Sequence, residues 1–202
     1  MKVVFGAVVL GAGATALVLG ASSCGRGGSA QARSSYRGIA VADPSAAPDF
    51  ALRDQDGHTV RLSAQRGRFV IVAFLYTHCP DVCPLIAEHL NQALRELGPD
   101  AGEVRVLAVS VDPRGDTPQA VRHYVRLHRL LPQFRYLTGS RRQLAPVWSA
   151  YHVAASPNNL DLIDHTAYEL LLDPKGVGQV IYHAHVHASD VAHDIRILAK
   201  QT

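Results

Sequence analysis

The sequence predicts an α/β domain: a central mixed β-sheet flanked by helices, with a β-hairpin added at its N-terminal side. Phe69–Leu75 is continuously apolar, and Val104–Val111 is apolar apart from Arg105 and Ser110; both are rich in β-branched residues, the pattern of strands buried on both faces. Between them, Leu85, Ile86, His89, Leu90, Ala93, Leu94 and Leu97 recur at intervals of three and four, which is the period of a helix. Near the C-terminus two more short apolar runs flank Asp173-Pro174-Lys175-Gly176, a turn sequence that predicts a second hairpin.

The elements follow in order from Pro48. Asp49-Phe50-Ala51-Leu52 and His58-Thr59-Val60-Arg61-Leu62 enclose Asp54-Gln55-Asp56-Gly57, and Asp-Gly between short strands marks a hairpin. The first buried strand leads to a helix over Pro84–Leu97, which Gly98-Pro99 stops. After the second strand, Thr117 caps a helix with Pro118 at its first position, running to about Leu130. A short strand (Phe134–Leu137) and a helix from Ser140 to Tyr151 come next. The second hairpin pairs Ala167–Leu172 with Gly178–His185, and a last helix runs from about Ser189 to Ala199 with Val191, Ile195 and Leu198 inward. This order is that of a thioredoxin-like domain over residues 48–202.

Residues 1–23 read as a signal sequence or membrane anchor: Lys2 precedes an uncharged run from Val3 to Cys24, long enough to span a bilayer. Small residues before Cys24 resemble a bacterial lipoprotein processing site, which would lipidate Cys24. An uncleaved anchor helix and simple cleavage are the alternatives, and all three place the domain outside the cytoplasm. Residues 24–47 are Gly-, Ser-, Ala- and Arg-rich without periodicity and read as a flexible tether. The formal charge is +3, but residues 48–202 carry 16 basic and 16 acidic side chains. The basicity belongs to the tail, so a nucleic-acid partner, which needs a clustered basic surface, is not expected.

The chemistry concentrates in Tyr76-Thr77-His78-Cys79-Pro80-Asp81-Val82-Cys83-Pro84. Cys79 and Cys83 are four apart at a strand end that runs into a helix, which places both sulfurs on one helical face. The helix N-terminus favours thiolate, the species needed for soft-metal binding and for disulfide exchange. A structural disulfide is the plain alternative, but a loop this short restrains little chain entropy. Two thiols leave tetrahedral zinc short of ligands, whereas two thiolates and an imidazole suit copper. His165, in the loop entering the strand expected beside the cysteine-bearing one, is placed to be that imidazole. Asp164 could orient its ring. His183, His185 and His187 alternate, as on one face of a strand end; an exposed polar face or a second metal site both fit. His78 reads as exposed, and His58, His89, His123, His128, His152 and His193 as surface residues.

These blocks in register resemble the SCO/SenC family of copper-binding, thioredoxin-fold proteins that assist cytochrome c oxidase assembly. They are Phe50-Ala51-Leu52 with Asp54–Gly57, Phe74–Pro84, Ser110-Val111-Asp112-Pro113-Arg114-Gly115-Asp116-Thr117-Pro118, Trp148-Ser149-Ala150-Tyr151, and Asp164-His165-Thr166. The resemblance implies that Cys79, Cys83 and His165 hold copper as Cu(I) or Cu(II). It further implies a monomer tethered at the extracytoplasmic face of a bacterial membrane, by lipid or anchor helix. Its partner would be cytochrome c oxidase subunit II or another copper-accepting oxidase subunit, to whose dinuclear centre it delivers copper or whose thiols it keeps reduced. A thiol–disulfide oxidoreductase using Cys79 and Cys83 without metal is the rival, and a peroxidase of the peroxiredoxin type a more distant one.

Overall fold

The structure, a computed structural model, describes residues 35–154 and 168–202. Among these residues eight strands form: β1 (Ile39–Ala40), β2 (Ala51–Arg53), β3 (Thr59–Arg61), β4 (Phe69–Leu75), β5 (Val104–Ser110), β6 (Phe134–Leu137), β7 (Tyr168–Leu172) and β8 (Gly178–His183). Helices α1 (Val82–Leu97), α2 (Pro118–Leu127), α3 (Arg141–Ala150) and α4 (Ala188–Ala199) alternate with them. Six strands make one sheet in the order β1-β8-β7-β4-β5-β6, and β2 and β3 make a separate hairpin. β4, β5 and β6 run parallel, whereas β7 opposes β4 and β8 opposes β7. This is the thioredoxin-like mixed sheet expected from the order of elements.

All seven residues of β4 are buried, because the strand has neighbours on both edges and packed side chains on both faces. α1 packs against α4, presenting Val82, Cys83, Ile86, Ala87, Leu90 and Leu94 to the core. The helix starts fit their sequence signals. Thr117 Oγ1 accepts the Ala120 N–H at 3.2 Å, and Gln143 Oε1 accepts the Ser140 N–H at 2.9 Å in a capping box. α1 begins at Val82, two residues before the expected Pro84, which brings Cys83 into its first turn.

The structure corrects three expectations. Residues 37–47 are not part of the flexible tether expected over 24–47. From Arg37 the chain is held on the domain, where Asp194 accepts the N–H groups of Arg37 and Gly38 at 2.8 and 2.9 Å. Ile39 and Ala40 then pair with β8. Secondly, His183, His185 and His187 do not share a strand face: β8 ends at His183, Ala184 and His185 form a turn, and His187 is the N-cap of α4. Thirdly, His89, His128 and His193 are half-buried rather than surface residues. His128 lies over Tyr124 with ring centroids 4.3 Å apart. Among the described residues no helix is long and apolar enough to cross a membrane. The apolar run from Val3 and Cys24 lie outside those residues.

Candidate functional site

The paired cysteines sit where β4 ends and α1 begins. β4 delivers the chain at Leu75, and the Cys79 N–H donates to the Tyr76 carbonyl at 3.3 Å, closing a turn that leads into the helix. Cys79 and Cys83 are both reduced, and they are 8% and 1% exposed. One sulfur therefore borders solvent while the other is sealed in. The Cys83 N–H donates to Cys79 Sγ at 3.3 Å. Tyr124, from α2, donates its hydroxyl to the Cys83 carbonyl at 3.1 Å and so ties the first turn of α1 to the neighbouring helix.

This geometry makes the two thiols unequal. The Cys83 thiol, donating to the Cys79 sulfur, lowers Cys79 to about 5; burial opposes the shift, and the N–H groups of Asp81 and Cys83 assist it. Cys83 moves the other way, raised by that same bond to Cys79 and then by its own burial. The pair is thus one thiolate at Cys79 and one protonated thiol at Cys83, the first able to attack or bind at neutral pH.

The loop before Cys79 is anchored by a residue to which sequence reasoning gave no role. Asp116 is 3% exposed. Its Oδ1 accepts the Thr77 N–H and hydroxyl, both at 2.7 Å, and its Oδ2 accepts the Ser110 hydroxyl at 2.6 Å and the Tyr136 hydroxyl at 3.2 Å. Burial pushes its carboxyl up, and these donors push it back. The Trp148 indole N–H donates to the Ser110 carbonyl at 2.9 Å. The Ser110–Pro118 and Trp148–Tyr151 blocks therefore converge beneath the cysteine loop, and the Asp116-Thr117-Pro118 run was the available signal for it. His78 is exposed, as expected, with Nδ1 3.1 Å from Thr77 Oγ1. A Cβ on Gly115 would stand 2.2 Å from Asp112 Oδ2 and 2.9 Å from His78 Nδ1, so only glycine lets that loop close over His78.

Asp164 and His165 lie outside the described residues, although β7, which follows them, pairs with β4 as the topology argument required. A third cluster, Asp54, Asp56 and His58, brings its ligand atoms within 4.8 Å of one another. The Arg135 guanidinium already bridges its two carboxylates, at 3.3 Å from Asp54 and 3.5 Å from Asp56. Asp54 Oδ1 also accepts the N–H groups of Asp56 and His58, so these residues shape the hairpin turn.

Fold and site together define a thioredoxin-like domain bearing an activated, buried thiol pair at the carboxyl end of its central strand. The sequence model of the SCO1/SenC family matches residues 41–200, and the chain belongs to that family. It is 36% identical over 156 residues to "Protein SCO2 homolog, mitochondrial" of Bos taurus, covering 73% of this chain and 58% of that protein. The Homo sapiens counterpart is 33% identical, with the same coverages. The chain thus spans well under two thirds of the length of these curated relatives. Among solved structures, Bradyrhizobium japonicum ScoI with copper bound is 29% identical at a TM-score of 0.64, covering 75% of this chain and 98% of that one. Arabidopsis thaliana ScoI with copper bound is 25% identical at 0.66, covering 78% and 100%. BsSco, a member of the Sco family of cytochrome c oxidase assembly proteins with a disulfide switch, shares the fold at 22% identity and a TM-score of 0.67, covering 80% and 99%.

Proposed function

We propose that this chain is a membrane-tethered, extracytoplasmic copper-binding protein that serves cytochrome c oxidase assembly. It would deliver copper to, or maintain the thiols of, the dinuclear copper centre of subunit II. The observation that carries the proposal is the pair of reduced, buried thiols in one helical turn, with Cys79 poised as thiolate. Two soft sulfur donors in a site shielded from water suit copper. Copper-bound relatives with the same fold support the reading. Cys79, Cys83 and His165 are the proposed ligands, Asp164 the proposed partner of the imidazole, and Cys24 the proposed lipidation site. Copper passes to the acceptor by ligand exchange: each bond to Cys79 or Cys83 is replaced by one to an acceptor thiolate, with no change of oxidation state.

The inequality of the two thiols favours a second reading, a thiol–disulfide reductase. The Cys79 thiolate attacks one sulfur of a partner disulfide, forming a mixed disulfide and releasing one partner thiolate. Cys83 then loses its proton and attacks Cys79, releasing the second. Two electrons pass to the partner, and the pair ends as a disulfide that no longer binds metal. His165→Ala separates the readings. If copper delivery is the function, the variant loses copper and the ability to load an acceptor. If the reductase reading is right, it supports oxidase assembly with copper binding abolished.

A further inference from the structure

His89 lies on α1, six residues beyond Cys83, and its ring meets α4. Its Nδ1 is buried and finds no hydrogen-bond partner among the described residues. Across from it is the imidazole of His187, with ring centroids 6.4 Å apart and planes inclined by 46°. His187 is exposed and stands at the N-cap of α4. The carboxylates nearest in sequence to either ring are engaged elsewhere. Glu88 meets His128 at 3.3 Å, Asp190 meets Arg37 at 3.0 Å, and Asp194 meets His193 at 2.9 Å. A buried ring nitrogen with no partner is an exception among native polar groups.

We propose that His89 and His187 form a second copper site, separate from the cysteine pair, that takes Cu(I) between the two imidazoles. His185, in the turn before His187, is an exposed further donor. A metal–nitrogen bond of about 2.0 Å puts the ion about 3.2 Å from a ring centre. Rings on opposite sides of one ion then span about 6.4 Å, whereas a tetrahedral pair spans about 5.2 Å. The observed 6.4 Å equals the span of two rings on opposite sides of one ion, the near-linear arrangement that a monovalent d¹⁰ ion accepts. The positive end of the α4 dipole also opposes a divalent ion more than a monovalent one. Six residues at about 1.5 Å each place the site about 9 Å along α1 from Cys83, close to the thiols without sharing a ligand with them.

The test uses the full-length chain with Cys24, Cys79 and Cys83 all replaced by Ser, titrated anaerobically with Cu(I) against a chromogenic chelator. One Cu(I) per chain is expected, weakened at least tenfold by His89→Ala and by His187→Ala. Changing His58 or His123 to Ala should leave it unaltered. His187 is exposed, so its variant reads the site without disturbing the core. The proposal is overturned if the thiol-free chain retains no Cu(I), if neither substitution weakens binding, or if Zn(II) occupies the site and Cu(I) does not. Thiol-bound copper is absent from this experiment, so its outcome is independent of the cysteine site.

Discussion

Replacing Glu169 by Met should stabilise the folded chain, and by more as the pH rises. Glu169 lies on β7 opposite Tyr182; it is 1% exposed, and its Oε2 finds no hydrogen-bond partner among the described residues. Burial pushes its carboxyl up to about 8, against about 4.3 in an unfolded chain. The folded pKa is the higher one, so native stability is intact below about pH 4.3 and is lost as the pH rises toward 8. At about pH 7.5 the difference of roughly 3 units corresponds to about 4 kcal/mol. Met, similar in volume and apolar, removes that loss and also the roughly 1–3 kcal/mol of an unpaired buried acceptor. Urea unfolding of the reduced, copper-free chain at about pH 5 and about pH 7.5 measures both parts. The stability gap between variant and wild type should widen by about 3 kcal/mol between the two conditions. A gap that does not widen, or a variant less stable at the higher pH, refutes the reasoning.

Three further outcomes follow from the site and its supports. Cys79, lowered to about 5, should be alkylated by iodoacetamide at a rate that is flat above about pH 6 and halves near pH 5; a rate still climbing at about pH 8 contradicts the thiolate assignment. Asp116→Asn puts an NH₂ group where hydroxyl or amide donors converge, and should cost about 2–4 kcal/mol in urea unfolding. It should also weaken copper binding at least tenfold, because Thr77 stands two residues from Cys79. Gly38→Ala places a Cβ 2.5 Å from the side chains of Val180 and Tyr182. Loss of amide-exchange protection at Val41, whose N–H donates to Gln179, would report the displaced β1, at a cost of about 1–3 kcal/mol.

What the sequence made legible depended on how local each cause was. β4 and β5 announce themselves because burial on both faces demands runs dominated by apolar residues, and Thr117 announces its helix because a cap is a local device. The cysteine pair was legible for the same reason, its spacing matching one helical turn. β1 was not: two residues carry no period, and Asp194, which holds the chain there, is more than 150 positions away in sequence. Asp116 resembles any loop acid until the fold brings Thr77, Ser110 and Tyr136 around it. His187 was grouped with His183 and His185 on alternation alone, whereas the packing of α4 on α1 gives it His89 instead. Glu169 interrupts no pattern that a half-exposed strand would not tolerate, so its burial appears only when the helices cover it.

The central claim is that Cys79, Cys83 and His165 hold copper together. Anaerobic copper titration of the reduced full-length chain, following the sulfur-to-copper absorption, tests it most directly. The account predicts one thiolate-bound copper per chain, lost or strongly weakened in each of Cys79→Ser, Cys83→Ser and His165→Ala. Affinity and spectrum unchanged in any one of the three would contradict it.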